Sequence, residues 1–598
     1  MMNNRRFTIL AAVLLVLTAS AQVQFNGKNA AVDNLTGTWL LTVPESAFGN
    51  DFTAAISLDE AVTQCTIDGM EVTDSFTFHN VQPGATYQLQ AVTATDTVQA
   101  NIQFTYWPVI QIYGDYVKRP YYTGTVIYTH PDSALQETIG SRVRWAGSST
   151  AGSDRKKHNF HLKFYNEDGS KKNMSFFGLR SDFHWRLDAG QVDFARVRNR
   201  VSKDIWAAFA HKPYYADIEP KTPRNYVRGD FVEVFLNDEY MGIYSLNEHM
   251  DRQQLKLKPY DYENGVFHGG LWKPMQWSYA TVFSDLPAVN ANSKTWDQFY
   301  VKYPNIDDVK PTNFQTLYNA IQFTIESDDK VFLDSVKYYF DIPVIRDYYL
   351  FTILLQAPDN VGKNLYYACY DIETDKRITM AVWDEDCTQG QFWSNAGSYY
   401  HHAFVGPEVD FREDQLSSHT LFQRLWTLDP SFHGLATERY WELRSSTFDP
   451  DSILARYMNY FDRMKSCGAD QREIARWSYG SDLAGHELNF DNELEYLRDW
   501  WTRHITYLDN NVFIPYQTGD VNFDHRINIF DVTALIAYLL GDEDICINEN
   551  KADMDMNGKI SIHDVTEIIK WILNSRSSAA DDTDVAEDAL LAVGQAVE

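Results

Sequence analysis

The sequence predicts a multidomain chain: a β-sandwich-like domain, then a larger α+β core of two lobes, then a small all-α module. Three observations predict it. Residues 22–105 alternate apolar and polar in short runs broken by Gly, Asn, Asp and Pro, as in Thr38-Trp-Leu-Leu-Thr-Val and Thr86-Tyr-Gln-Leu-Gln-Ala-Val. That is the pattern of strands with one buried face. From 106 to about 510, strand-like runs give way beyond Thr312 to helical spacing, interrupted by one more hairpin. Between 517 and 576 one oxygen-rich loop occurs twice, starting at Asp520 and at Asp553, and each copy leads into an apolar helix. With 598 residues, 44% of them hydrophobic, the chain has material for three or four domains.

The elements come in this order. Residues 1–21 have the form of a secretory signal: Arg5-Arg6, an apolar run from Phe7 to Leu17, and Ala19-Ser20-Ala21 as the cleavage site. No other run of ~20 apolar residues is present, so no membrane span is expected. The mature protein is expected to be secreted or held at the cell surface. The β-rich domain at 22–105 has the form of a spacer or an accessory binding module. The 106–510 core opens at Trp107-Pro-Val-Ile-Gln-Ile-Tyr and continues with strands at Gly124-Thr-Val-Ile-Tyr-Thr, Arg142-Val-Arg-Trp and Asn159-Phe-His-Leu-Lys-Phe-Tyr. A helix is expected from Asp193, with Phe194, Val197, Val201, Ile205 and Ala208 as its apolar stripe. A hairpin comes next, Phe231–Leu236 and Met241–Leu246, turning at Asn237-Asp-Glu. The second hairpin pairs Leu365-Tyr-Tyr-Ala-Cys-Tyr with Arg377-Ile-Thr-Met-Ala-Val-Trp. Residues 577–598 form an acidic tail, expected to be solvated and disordered.

Charge and cysteines narrow the function classes. A formal net charge of −30 argues against nucleic-acid binding, which needs a basic face. Cys65, Cys369, Cys387, Cys467 and Cys546 are too few and too scattered for a disulfide scaffold, although Cys369 and Cys387 flank a hairpin and are a possible pair. No Cys/His zinc spacing and no Gly-x-Ser-x-Gly elbow of a serine hydrolase is present.

The residues with the spacing of a reaction centre surround the second hairpin. Asp359-Asn-Val-Gly-Lys-Asn364 sets an Asp five residues before an Asn, and the return strand ends in Trp383-Asp384-Glu385-Asp386. In a protein kinase the catalytic-loop Asp takes the substrate hydroxyl proton, and an Asn five residues on and an Asp after the next hairpin hold Mg²⁺ on the nucleotide. Upstream, Gly147-Ser-Ser-Thr is a loop able to cover phosphates, and Lys156, Lys157 and Lys163 open or lie within the next strand. Lys163 alternates with Phe160, Leu162 and Phe164, which equally suits the solvent side of a strand.

Through Trp145-Ala-Gly147-Ser-Ser-Thr, Lys156-Lys157-His-Asn-Phe, Arg198-Asn199, Gly242-Ile-Tyr244-Ser-Leu-Asn-Glu248-His-Met-Asp251 and Trp383-Asp384-Glu-Asp386, the core resembles the CotH family of atypical secreted protein kinases. The resemblance implies a kinase-like fold, ATP with Mg²⁺ or Mn²⁺, and transfer of the γ-phosphoryl group to hydroxyls of a protein substrate. It implies Asp359 as the catalytic or substrate-orienting carboxylate, and Asn364, Asp384 and Asp386 as metal ligands. Gly147, Lys157, Lys163, Arg198 and Glu248 become the residues expected around ATP, with Arg198 either stabilising transferred charge or bracing its helix. The predicted helix has no Glu to pair with the lysine, which leaves Asp193 or Asp204 for that role. Two other readings stand beside this one: a catalytically inactive kinase-fold protein with a structural or adhesive role, and a carbohydrate-active protein using a pair such as Glu233 and Glu248.

The repeated loops point to Ca²⁺. Side-chain oxygens recur at loop positions 1, 3, 5, 9 and 12: Asp520, Asn522, Asp524, Asn528 and Asp531, then Asp553, Asp555, Asn557, Ser561 and Asp564. The carbonyls of Arg526 and Lys559 stand at position 7, and this spacing gives a hard cation its six or more oxygens. The closing ligand is Asp, and His525 stands where Gly is usual at position 6. The pattern resembles the type I dockerin, which implies a cohesin-bearing scaffold as partner and a link to polysaccharide metabolism.

Overall fold

The computed structural model describes residues 23–116, 120–132, 135–147, 156–289, 292–305, 307–393, 399–400, 406–478, 487–542 and 545–578. The expected signal peptide, Ser148–Thr150 of the glycine-bearing loop and nearly all of the acidic tail lie outside the described residues.

The N-terminal domain is a three-stranded sheet (Val23–Phe25, Phe52–Leu58, Ser75–Phe78) facing a six-stranded sheet centred on Thr38–Thr42, Thr97–Thr105 and Tyr87–Thr93. Within Phe52–Leu58, Ala54 and Ile56 are buried and their neighbours are not, the period of two that a one-sided strand requires. Trp39, Phe78, Leu89, Ile102 and Phe104 fill the space between the sheets. The domain is seated on the strands C-terminal to it: Ala31 and Leu40 pack with Val109, Phe235 and Tyr240, and the Tyr240 amide donates to Asp33 Oδ1 at 3.2 Å.

Next comes a closed barrel of seven strands: β1 (Val109–Tyr113), β2 (Tyr122–Thr129), β3 (Gln136–Ala146), β4 (Asn159–Tyr165), β5 (His184–Asp188), β6 (Gly229–Leu236) and β7 (Glu239–Asn247). Their order is β1-β2-β3-β4-β5-β7-β6, and β6 returns parallel to β1 to close the ring. Val143, Phe160, Leu162, Phe164 and Leu187 are fully buried, and the alternate positions Arg142, Arg144, His161, Lys163 and Arg186 fall on the opposite face. The β6–β7 turn is a two-residue connection with Asn237 (φ 50°) and Asp238 (φ 60°) both left-handed, the geometry that matches strand twist and that Asn and Asp tolerate best.

Helix α1 (Arg198–Phe209) starts five residues later than the apolar spacing predicts. The Asp193 carboxylate accepts from the amides of Ala195 (2.9 Å) and Arg198 (2.7 Å), and so holds a turn ahead of the helix. Phe194, Val197, Val201 and Ile205 are buried as expected. Ala208 is exposed, and Trp206 and Phe209 complete the buried face instead.

The remainder combines helices with a five-stranded sheet of β8 (Gly270–Pro274), β9 (Thr295–Trp296), β10 (Phe299–Tyr303), β11 (Leu365–Cys369) and β12 (Thr379–Val382), in the order β9-β10-β8-β11-β12. Helix α2 (Ile342–Leu355) is buried along most of its length, and α3 (Pro430–Leu443), α4 (Ala469–Trp477) and α5 (Phe490–Tyr507) surround it or return to the barrel. One continuous apolar cluster runs from Trp107 to Phe513. Barrel and helical part pack together through this cluster. Cys369 and Cys387 are buried and no disulfide joins them.

The C-terminal module has a separate core of Val521, Val532, Leu535, Ile547, Ala552, Val565 and Ile568. Its helices are α6 (Ile529–Leu539) and α7 (Ile562–Ser578), each placed after one copy of the repeated loop.

Candidate functional site

Helix α2 stops at Gln356, which is left-handed (φ 47°), and the chain passes through one helical turn, Asp359–Gly362, into Asn364 and β11. Asn364 (φ 53°) and Asp384 (φ 65°) are both left-handed and flank the open end of the β11–β12 hairpin. Such conformations are held at a cost and cluster at functional sites. The Asn364 side chain donates to the Asp384 carbonyl at 3.3 Å. The buried Asn360 amide donates to the carbonyls of Asn364 and Trp383, 3.0 Å each, and so ties the two ends of the hairpin together. Asp359, Asn364 and Asp384 are thus brought to one place.

Further acids converge there. The Asp386 carboxyl is pushed well above the ordinary carboxylate range, first by burial and then by Asp384, Asp188, Asp359 and Asp193. Asp188, at the end of β5, has no sequence motif to mark it. It is fixed by Asn199 Nδ2 (2.6 Å) and the Gly190 amide (3.2 Å), and Asn199 Oδ1 also accepts from the Glu385 amide. This all-oxygen set, with like charges raising one of its members, has the ligand chemistry that a hard divalent cation selects. Cations stand beside it. Lys363 Nζ lies 3.2 Å from Asp359 Oδ2, and although burial disfavours its charge, Asp359, Asp384 and Asp386 outweigh that and raise its pKa. Arg186 and Lys273 sit over the Trp383 ring at 4.7 and 5.3 Å. The Lys273 ammonium is pushed down to about 7 because burial outweighs the nearby Asp384. Acids for a metal beside cations for phosphate is the arrangement a metal–polyphosphate ligand requires.

Behind this lies a buried ion cluster. Lys157, just ahead of β4, donates to Glu473 Oε1 (2.7 Å) and to the Ile243 carbonyl (2.9 Å), with no exposure on either side chain. Glu473 also accepts from Arg196 Nε at 2.7 Å and from the Ile243 amide at 2.8 Å. Burial pushes the Glu473 carboxyl up, but Lys157 and Arg196 outweigh it and hold it below its usual range. Burial likewise pushes Lys157 down to about 7, against the pull of Glu473 and, more weakly, Asp188. The lysine does have a glutamate, then, but it comes from α4. Asp193 and Asp204 are committed elsewhere, to Arg198 (2.8 Å) and Arg200 (3.0 Å). Gly242 (φ 94°) is required at this contact, because a Cβ there would overlap Glu473 Oε2.

In the C-terminal module the two loops repeat one backbone pattern: Phe523 and Met556 at position 4, and His525 and Gly558 at position 6, all have positive φ. His525 adopts the glycine conformation while stacked 4.3 Å from Tyr516. Both Asp520 carboxylate oxygens are buried without a hydrogen-bond partner, and burial with Asp531 and Asp524 pushes the group up to about 6. Asp553, Asp555 and Asp564 offer oxygens within 4.8 Å of one another. Asp531 and Asp564 accept from the amides of Val521 (2.7 Å) and Met554 (2.8 Å), which folds each loop around a common centre.

A family model described as CotH kinase protein matches residues 143–508, more than half of the chain. The chain belongs to the CotH kinase family. A second model, the dockerin type I domain, matches residues 518–573, and no curated protein matches the chain. Dockerin domains bind calcium and imply a cohesin-bearing scaffold as partner.

Within the CotH kinase domain the remaining sequence candidates are dispersed. Gly147 (φ 96°) directly follows β3 at the margin of the described residues. Lys163 lies outward on β4, 4.5 Å over the Tyr121 ring, and burial with Arg144, Lys171 and Arg142 lowers its pKa. Lys157 and Lys163 therefore do not act on one point. Arg198 is fully buried between Asp193 and Glu493, so its donors brace the start of α1 and α5 rather than face the acid cluster. Glu248 is likewise locked, accepting from Arg228 Nη2 (2.8 Å), Gln254 Nε2 (2.9 Å) and the Arg180 amide (3.2 Å). Burial pushes its carboxyl up, and the Arg228 hydrogen bonds outweigh that to leave it low. In the dockerin, Asn528 and Ser561 at position 9 turn their oxygens to the Phe530 (2.8 Å) and His563 (3.2 Å) amides, where they cap the helices. No helix among the described residues is long and apolar enough to cross a membrane.

Proposed function

We propose that the chain is an exported ATP-dependent protein kinase, carried on a cohesin-bearing scaffold by its calcium-loaded dockerin. The observation that carries this is the convergence of Asp359, Asn364, Asp384, Asp386 and Asp188 at the open end of one hairpin, beside Lys363, Lys273 and Arg186. Asn364, Asp384 and Asp386, with Asp188, would hold Mg²⁺ or Mn²⁺, which when bound shields the negative charge of the ATP phosphates. Asp359 takes or orients the proton of the acceptor hydroxyl, and Lys363 holds its carboxylate in place. Lys273 and Arg186 neutralise phosphate oxygens. The buried Lys157–Glu473–Arg196 cluster fixes the strand ends from which Asp188 projects. Asp520, Asn522, Asp524 and Asp531, and Asp553, Asp555, Asn557 and Asp564, with the carbonyls of Arg526 and Lys559, are the proposed Ca²⁺ ligands.

The test is phosphoryl transfer from labelled ATP in Mg²⁺ or Mn²⁺, comparing the protein with Asp359→Ala and Asp384→Ala. Incorporation should fall at least 100-fold in both variants, on the order of 3 kcal/mol of lost transition-state stabilisation. Equal incorporation in all three proteins, or none in any, overturns the kinase reading and favours a binding-only relative.

A further inference from the structure

Away from the acid cluster, three histidines from separate elements meet on the outer face of the barrel. His161 is on β4, His184 opens β5, and His249 lies just beyond β7. A ring nitrogen of each lies within 4.8 Å of the other two. His161 Nδ1 and His184 Nε2 are 3.2 Å apart, and the His184 and His249 rings are 4.1 Å apart. Two nitrogens bound to one tetrahedral zinc at about 2.0–2.1 Å would stand about 3.3 Å apart, so this spacing suits two ligands of a common ion. His249 Nδ1 is shut off from solvent and has no hydrogen-bond partner.

The geometry points to a divalent transition-metal site, of the class zinc occupies, with His161, His184 and His249 as its three protein ligands. Imidazole is the ligand type that late first-row ions select, and hard Mg²⁺ and Ca²⁺ avoid it. Burial first, then neighbouring rings and the cations Arg144, Arg186, Lys163, Lys302 and Arg180, hold all three histidines well below their ordinary range. A carboxylate from Asp251 also bears on His184. The same cations favour an anion in the fourth position, and three protein ligands leave that position open. His184, Arg186 and Asp188 share one face of β5, and His161 lies opposite Arg186, so this centre lies two to four strand residues, roughly 7–13 Å, along the strands from Asp188 of the acid cluster. Arg186 stands between the two, over Trp383.

The experiment uses the full chain without a polyhistidine tag. It is stripped with chelator, returned to excess Ca²⁺ and Mg²⁺ so that oxygen sites are filled, and then given Zn²⁺ and desalted. One equivalent of zinc should remain on the protein and on Asp384→Ala, and near none on His184→Ala or His249→Ala. Co²⁺ in place of zinc should give the intense visible bands of a tetrahedral nitrogen-ligated ion in the unaltered protein, a readout that holds even if a variant fails to fold. Zinc retention equal in the unaltered protein and the folded histidine variants overturns the proposal, as does a Co²⁺ spectrum indistinguishable from that of the hydrated ion.

Discussion

Glu473 shows what a single residue does in this chain. It is buried, accepts from Lys157, Arg196 and the Ile243 amide, and lies against a strand that only Gly242 allows it to approach. Replacing it by Gln keeps the shape and leaves two buried cations short of a counter-charge. Breaking a buried pair from one side costs about 3–5 kcal/mol, so Glu473→Gln should lower the thermal midpoint markedly and weaken phosphoryl transfer together. An unchanged midpoint would mean that water reaches the cluster. The sequence held a sign of this residue. Ala469, Glu473 and Trp477 form a buried i, i+4, i+8 stripe, an apolar face with one acid at its centre. What it lacked was the partner, since Lys157 is more than three hundred residues away and no local rule links the two. Asp359, Asn364 and Asp384 were legible for the opposite reason, being close in sequence and separated only by a hairpin.

The hairpin β11–β12 shows the same contrast among elements. Its strands arise from the apolar runs, but its mouth depends on left-handed Asn364 and Asp384, and on the Asn360 amide that clips their two segments. The motif Asp359-Asn-Val-Gly-Lys-Asn364 singles out its two ends and not the Asn360 between them. Asn360→Ala removes two buried hydrogen bonds, each worth about 1–1.5 kcal/mol. The variant should melt earlier by roughly 2–3 kcal/mol in stability, and phosphoryl transfer should fall further than the population of folded protein explains. A loss of activity that merely tracks unfolding would make Asn360 a stabilising residue with no part in setting the mouth. The late start of α1 has a similar origin. Apolar spacing ran on through Phe194 and Val197, while Asp193 captured two amides and held those residues in a turn.

Over the whole molecule, the two calcium loops differ in where they sit although they are nearly alike in sequence. The first is docked on the kinase domain: Phe523 packs on Gly434 of α3 and edge-on to Tyr516, and Asn548 and Asn550 donate to Glu438 at 3.2 and 3.1 Å. The second loop has Met556 at the position equivalent to Phe523, and that side chain is 80% exposed. The sequence places a Phe and a Met at matching positions but gives no sign that one of them has a seat, because the seat is a missing side chain on a distant helix. Filling it should detach the module without harming either part. A leucine at position 434 occupies the space of the Phe523 ring, so Gly434→Leu should enlarge the particle in solution scattering and expose the connection near residues 509–520 to protease. Calcium binding should persist, since neither loop loses an oxygen, and so should phosphoryl transfer, since α3 contributes nothing to the acid cluster. An unchanged scattering profile would mean that the Glu438 hydrogen bonds hold the module alone. A loss of calcium binding would mean that the first loop needs its seat in order to close, which would couple scaffold attachment to the fold of the kinase domain.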